Sequence, residues 1–178
     1  MIRRGRMKRI FSGIMLSFLL LSILRTVSNV ELAMASDGVQ TRRFWFLGIE
    51  ADFGSRSGQF LISELLKYEN WNNATAEYVS YIHLLSCYYY TGELVDPAVR
   101  PCLRGLPTKA NVESEIKNFL AQAYPGDIVV VSMSCHGDGL GLVEIGVYYY
   151  ELDRWLCSGS LQNCFVTVIL DTCQAGHL

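Results

Sequence analysis

The most informative segment of the sequence lies near the C-terminal end and reads Phe165-Val-Thr-Val-Ile-Leu-Asp-Thr-Cys-Gln-Ala-Gly176. Its apolar first half, rich in β-branched residues, predicts a buried strand that ends at Asp171. Cys173 follows that strand end by two residues, and Gly176 follows Cys173 by three. Because the ligands of parallel sheets gather at the carboxyl ends of strands, the pattern indicates that Cys173 is a catalytic thiol.

A second predicted strand offers the base that a catalytic thiol needs. It reads Asp127-Ile-Val-Val-Val-Ser-Met-Ser-Cys-His-Gly137 and also ends in a reactive side chain, His136. If the two strands are neighbours, His136 can produce or stabilise the thiolate of Cys173. The backbone amides of Gly137 and Cys173 are then expected to hold the oxyanion of an attacked carbonyl group. Gly137 has no Cβ and is expected to leave room for the substrate.

The first 35 residues are predicted to be a secretory signal peptide rather than part of the fold. Basic residues at positions 3–9 precede a 15-residue, mostly apolar run from Ile10 to Leu24, and Ala33-Met-Ala35 provides a cleavage site. That apolar run is short for a membrane span, and an uncleaved N-terminal membrane anchor is the alternative. The chain is therefore expected to be secreted or to lie on the outer face of the cell membrane.

The charge of the chain changes once this leader is set aside. Six of the 15 basic residues but one of the 17 acidic residues lie within residues 1–35, which leaves nine basic and 16 acidic side chains, a net charge of −7. Nucleic-acid binding rests on Lys and Arg side chains that neutralise phosphates. A domain this acidic is a poor candidate for a nucleic-acid partner.

All six cysteines lie after the leader, at positions 87, 102, 135, 157, 164 and 173. Export favours disulfides, and an even count is typical of a bridged framework. With Cys173 reserved as a nucleophile, the pairs closest in sequence are Cys87–Cys102 and Cys157–Cys164. Cys135 is then expected to be buried and left over.

The order of the predicted elements indicates one α/β domain from residue 41 onward. Apolar runs predict strands at 41–49, 78–86, 127–134 and 165–171, and helical periodicity predicts helices at 59–68, 109–124 (with Thr108 as N-cap) and 149–157. A helix is the alternative for residues 77–90, residues 91–107 read as a long loop, and 142–148 as a small hairpin. Such alternation predicts a mostly parallel sheet with helices on both faces.

Together these residues resemble the caspase-like cysteine peptidases, which include caspases, metacaspases and legumains. The two motifs His136-Gly137 and Asp171-Thr-Cys-Gln-Ala-Gly176 carry the resemblance. Leu106-Pro-Thr-Lys-Ala-Asn-Val112 and Tyr150-Glu-Leu-Asp-Arg-Trp-Leu156 are similar to metacaspase-type segments, and the resemblance covers residues 43–176.

The resemblance implies a caspase-like three-layer α/β/α sandwich and a cysteine endopeptidase that hydrolyses peptide bonds. Cys173 would be the nucleophile, His136 its proton-transfer partner, and the Gly137 amide part of the oxyanion site. The expected partner is a protein or peptide substrate. No cofactor is expected. Calcium is the one ion whose binding the resemblance would allow.

Asp171 precedes the nucleophile by two residues, a position that in the family lines the pocket for the residue before the cut bond. An acid there favours Arg or Lys by charge complementarity, whereas caspases, which prefer Asp, have Gln at this place. Asp52, after the first strand, is a second candidate acid in that pocket. The alternative is that Asp171 caps nearby backbone amides.

The sequence departs from the family where it stops, at Leu178, five residues after the nucleophile. Caspase-like domains continue with further strands that complete the sheet. The resemblance therefore implies missing C-terminal strands from the rest of the chain or from another subunit, because the sheet would otherwise expose an edge beside the site.

Three rival functions compete with the peptidase. Cys135, His136, Cys173 and His177 are ligand types that zinc accepts, although their spacing fits no standard zinc pattern. A caspase-like domain without catalysis would serve as a binding or scaffold module. The same pair of residues could also hydrolyse an amide outside a protein.

Overall fold

The computed structural model describes residues 42–53, 56–72, 78–91, 94–138 and 140–172. The predicted leader, with its apolar run at residues 10–24, lies outside these ranges, and so do Cys173 and His177. Within the described residues, no helix is both long enough and apolar enough to cross a membrane.

A parallel sheet of five strands forms the centre of the domain. In spatial order these strands are β3 (Leu103–Gly105), β2 (Tyr78–Ser86), β1 (Arg42–Glu50), β4 (Ile128–Ser134) and β7 (Phe165–Asp171). Every neighbouring pair in this order is parallel. Between β4 and β7, strands β5 (Gly141–Leu142) and β6 (Val147–Tyr148) form a separate antiparallel hairpin. The predicted α/β class, parallel sheet and hairpin are confirmed.

Three α-helices accompany the described strands: α1 (Ser57–Asn72), α2 (Lys109–Ser114) and α3 (Tyr149–Leu156). Helix α2 continues as a π-helical turn at Glu115–Phe119 and a 3-10 turn at Leu120–Gln122, so the predicted helix at 109–124 is one helical segment with three hydrogen-bond patterns. Thr108 is its N-cap, as predicted, and its hydroxyl accepts a hydrogen bond from the N–H of Asn111 at 3.3 Å.

The helices cover both faces of the sheet. Helix α1 packs against β1, β2 and β4 on one face. On the other face, the helical segment that begins with α2 joins α3 in a single buried cluster with apolar side chains of β1 and β4. Nearly continuous burial along β4 follows from this double cover, which is typical of parallel sheets.

One expectation about the local structure is wrong, and the predicted strand at 78–86 is confirmed. Residues 91–107 are not entirely loop, because Leu103–Gly105 adds a short edge strand to β2 through a register shift between Leu84 and Leu85. The alternative of a helix at 77–90 is excluded, since Tyr78–Ser86 pairs with β1 along its whole length. Helix α1 also begins at Ser57, two residues before the predicted start, and extends to Asn72.

The predicted disulfide pairs are wrong as well. Cys87, Cys157 and Cys164 carry free thiols, which excludes both Cys87–Cys102 and Cys157–Cys164. The thiols have other partners: that of Cys157 donates to the Asp153 carboxylate at 3.5 Å, and that of Cys164 donates to the carbonyl oxygen of Tyr124 at 3.2 Å. Closeness in sequence does not supply the geometry that a disulfide needs. Cys135 is buried, as predicted.

Candidate active site

The carboxyl ends of β1 and β4 form the point where the chain switches direction across the sheet. From β1 the chain passes to β2 on one side and later returns to β4 on the other. The backbone N–H groups of Ala51 and Asp52 both donate to the carbonyl oxygen of Ser134, at 2.8 and 3.3 Å, and so join the two strand ends. Ligands of open α/β sheets bind outside such a switch point.

His136 and Cys173 follow neighbouring parallel strands, as predicted. Ser134, the last residue of β4, is the register partner of Asp171, the last residue of β7. His136 follows Ser134 by two residues, and Cys173 follows Asp171 by two. The N–H of Cys135 continues the ladder by donating to the Asp171 carbonyl oxygen at 3.4 Å. Cys173 itself lies outside the described residues. The neighbouring placement of the two motifs is therefore shown by the pairing of their strands and not by the position of the sulfur atom.

Gly137 has a different reason to be glycine from the one predicted. A Cβ at this position would lie 3.0 Å from the hydroxyl oxygen of Tyr149 and 3.1 Å from that of Thr172. The side-chain position of residue 137 therefore points at protein atoms rather than at space for a substrate. Both hydroxyls are buried and have no hydrogen-bond partner among the described residues.

The backbone N–H of Gly137 does not take part in the bridge to the hairpin. Gly137 and Leu142 form an antiparallel bridge whose hydrogen bonds come from their neighbours, Val143 to His136 at 2.9 Å and Asp138 to Gly141 at 3.3 Å. In that pattern the paired residues turn their own N–H groups away from each other. Within the described part of the chain, no group accepts a hydrogen bond from this N–H, which suits an oxyanion donor.

Glu144 reaches the histidine from the hairpin and was missed in the sequence. One carboxylate oxygen accepts the backbone N–H of His136 at 2.7 Å. The other lies 3.6 Å from Nε2 of the His136 ring, whose side chain is 60% exposed. The only sequence signal was a charged residue flanked by apolar residues in the predicted hairpin after His136.

The two predicted pocket acids lie on either side of the histidine strand. Asp52 follows β1 and is half-buried, whereas Asp171 ends β7 and is exposed. Because β4 lies between these strands, we name Asp52, His136, Gly137 and Asp171 the carboxyl-edge site. Asp171 is level with Ser134, two residues before His136, so the acids lie on the strands to either side of the histidine strand.

A fully buried acid beside this site was also missed. Glu50 ends β1, and its carboxylate accepts hydrogen bonds from the N–H of Gln59 at 2.7 Å, the side-chain amide of Gln59 at 3.0 Å and the hydroxyl of Ser86 at 3.0 Å. Burial raises the pKa of Glu50 above its ordinary value, although these hydrogen bonds oppose the rise. Every carboxylate oxygen is satisfied, so Glu50 is a structural anchor of α1 rather than a reacting group.

His83 has no place in the carboxyl-edge site. It lies within β2, level with Leu47 of β1. Its Nδ1 is 2.7 Å from the Glu115 carboxylate, and its ring stacks on Phe119 with 3.6 Å between centroids. These contacts hold β2 against the π-helical turn, the packing role that is most common for a histidine inside a strand.

The described residues contain no group of three or more His, Cys, Asp or Glu side chains placed to hold a metal ion. Two of the four residues in the rival zinc set, Cys173 and His177, lie outside those residues.

No protein-family model, curated protein or solved structure matches the chain. Its function is therefore inferred from the site and from the motifs.

Proposed function

We propose that the chain is a caspase-like cysteine endopeptidase in which Cys173 is the nucleophile and His136 its proton-transfer partner. One observation carries the proposal: the strands that end in the two motifs are neighbours, parallel, and level at Ser134 and Asp171. Side chains at equal distances beyond two such strand ends emerge at one edge of the sheet. The α/β order and the helices on both faces support a caspase-like three-layer sandwich as the finer fold.

The reaction would proceed through a thioester. His136 takes the proton of the Cys173 thiol, and the sulfur attacks the carbonyl carbon of the peptide. When the C–N bond breaks, His136 returns the proton to the leaving amine. Water then attacks the thioester carbon while His136 takes its proton. The C–S bond breaks, the carboxylic acid product leaves, and His136 returns the proton to the sulfur of Cys173.

The negative charge on the attacked oxygen would be held by the backbone N–H of Gly137. That N–H has no acceptor among the described residues, which supports this assignment. Donors fixed before the reaction are the effective ones, because they need no reorganisation when charge develops.

Acidic side chains around the site support a preference for Arg or Lys before the cut bond. Asp171 and Asp52 flank the strand that leads to His136. Charge complementarity would draw a basic substrate side chain towards them. The net charge of the chain after the leader, nine basic against 16 acidic residues, acts in the same direction.

The proposal also includes export of the chain and additional strands that complete the central sheet. Secretion, or attachment to the outer face of the membrane through residues 10–24, rests on the leader pattern alone. Further strands from the rest of the protein or from another subunit would pair with the outer edge of β7, which pairs with no other described strand than β4.

The proposal is tested by peptide cleavage. Fluorogenic peptides that end in Arg, Lys, Asn or Asp are incubated with the full chain, with Cys173→Ala as the blank and Cys157→Ala as the matched control at an exposed cysteine. We expect cleavage after Arg or Lys that the blank loses and the control keeps. Cleavage after Asp or Asn would contradict the role given to Asp171, and absence of cleavage together with absence of Cys173 labelling would favour a binding module.

A further inference from the structure

We propose that Glu144 is the positioning residue for His136, a role that rests on the proposed function. The observation is one carboxylate that contacts the same residue twice. One oxygen accepts the backbone N–H of His136 at 2.7 Å, and the other lies 3.6 Å from Nε2 of the ring. A carboxylate bound to the His136 backbone and lying beside the ring favours one placement of the ring relative to that backbone.

The hairpin holds Glu144 in place on both sides. Leu142 is 1% exposed and Ile145 is 5% exposed, so the residues around Glu144 are anchored in the core. The N–H of Val143 donates to the carbonyl oxygen of His136 at 2.9 Å. The Glu144 side chain itself is 29% exposed, which leaves its charge only partly screened by water.

This geometry has a chemical consequence for the imidazole. A carboxylate beside Nε2 favours the tautomer with the proton on Nε2, which leaves the lone pair of Nδ1 for the thiol. The same negative charge stabilises the imidazolium that forms when His136 takes the proton of Cys173. At 3.6 Å the two atoms are beyond hydrogen-bond distance. The contact is expected to shorten when the ring becomes charged, as catalytic hydrogen bonds often do on substrate binding.

A simpler role for Glu144 would be to anchor the backbone of His136 and nothing more. The two roles separate in Glu144→Gln, because a carboxamide oxygen can still accept the backbone N–H but the charge is gone. Asp138→Asn is the matched control. Asp138 lies in the same loop, its carboxylate accepts the N–H groups of Leu140 and Gly141 at 3.0 and 3.1 Å, and an amide oxygen can replace it.

The experiment measures three properties of the full chain for both variants: kcat and KM on the best peptide, the thermal midpoint, and the ring ¹⁵N chemical shifts of His136, which report its tautomer. For Glu144→Gln we expect kcat to fall by roughly tenfold or more with KM unchanged. We also expect loss of the Nε2–H tautomer preference and a thermal midpoint within about 2 °C of the wild type. Asp138→Asn should match the wild type in kcat and in tautomer.

Two results would overturn the inference, and they are distinguishable. If the wild type cleaves peptides but Glu144→Gln matches it in kcat and in tautomer, Glu144 only anchors the backbone. If the wild type neither cleaves any peptide nor shows a reactive Cys173, the proposed function itself fails, and the positioning role fails with it.

Discussion

The carboxylate of Glu50 holds three parts of the fold together at the carboxyl edge of the sheet. It ends β1, accepts hydrogen bonds from Gln59 near the start of α1, and accepts another from Ser86 at the end of β2. A negative charge near the first turn of a helix also suits the helix dipole. The residue therefore joins the start of α1 to the ends of β1 and β2, and it has no role in the proposed reaction.

Glu50→Gln is expected to destabilise the protein by about 1–3 kcal/mol, because the new N–H₂ group faces the donors of Gln59 and Ser86. The cost should depend on pH. Since the folded-state pKa of Glu50 is raised above its ordinary value of 4.5 by burial, its stabilising contribution is complete below pH 4.5 and is lost as pH rises through the folded pKa. The difference in unfolding free energy between wild type and variant should therefore shrink as pH rises.

Urea unfolding between pH 4 and pH 8 measures this difference directly. Glu113→Gln is the matched control, since Glu113 is a surface carboxyl that pairs with Lys117 one helical turn away. The control should change stability by less than about 0.5 kcal/mol at every pH. A cost of Glu50→Gln that grows with pH would contradict this account of the buried carboxyl.

At the scale of single elements, the hairpin that carries Glu144 depends on one close approach. A Cβ at Gly141 would lie 2.8 Å from Cα of Tyr148 and would also contact the backbone of Val147. Both are backbone groups of β6, so neither can move without separating the two strands. Position 141 therefore requires glycine, because there is no space for a Cβ.

Gly141→Ala is therefore expected to cost about 1–3 kcal/mol and to loosen the hairpin. Hydrogen exchange should show the effect at the N–H of Val143, which donates to His136 in the native hairpin. Gly105→Ala is the control, because its Cβ would meet nothing closer than 3.4 Å. Equal protection of the Val143 amide in both variants would show that the hairpin does not need this glycine.

The long elements could be predicted from the sequence because their signals are local. The apolar runs of β4 and β7 and the helical spacing after Thr108 lie in adjacent residues, and the structure places these elements where expected. Strand β3 is three residues long, and only its pairing with β2 makes it a strand. No local pattern can reveal an element of that kind.

Some features of the candidate site could also be predicted from local sequence, whereas others could not. The ends of β4 and β7 were predictable as sequence positions, and their neighbouring, parallel arrangement is confirmed. The contacts of Glu50 with Ser86 and of Glu144 with His136 join residues that meet only after the sheet and the hairpin have formed. Free thiols at Cys87 and Cys157 likewise depend on tertiary positions that spacing does not specify.

At the scale of the whole molecule, the hydrophobic core and the carboxyl-edge site occupy different parts of the sheet. The hydrophobic core lies between the sheet and its helices, whereas the carboxyl-edge site lies where β1, β4 and β7 end. A groove of about 550 Å³ between α3 and the outer part of β7 begins beside that edge. Tyr149 lines this groove, and its hydroxyl oxygen lies 3.0 Å from where a Cβ of Gly137 would be, so the groove adjoins the site.

The five described cysteines are all expected to be poor nucleophiles. Burial and, next, the charge of Glu50 raise the pKa of Cys87 to about 11. The hydrogen bond to Asp153 raises the pKa of Cys157, and burial raises that of Cys164. Thiols with raised pKa values remain protonated at neutral pH and react slowly. Cys102 and Cys135 are 8% and 4% exposed, which limits access to them.

The pairing of His136 with Cys173 is therefore tested by the rate at which iodoacetamide alkylates each cysteine of the full chain at pH 7, mapped by mass spectrometry. We expect Cys173 to react on the order of tenfold faster than the exposed Cys157, and we expect His136→Ala to remove the difference. If Cys173 reacts no faster than Cys157, or if its rate is the same in His136→Ala, then His136 and Cys173 do not form a catalytic pair.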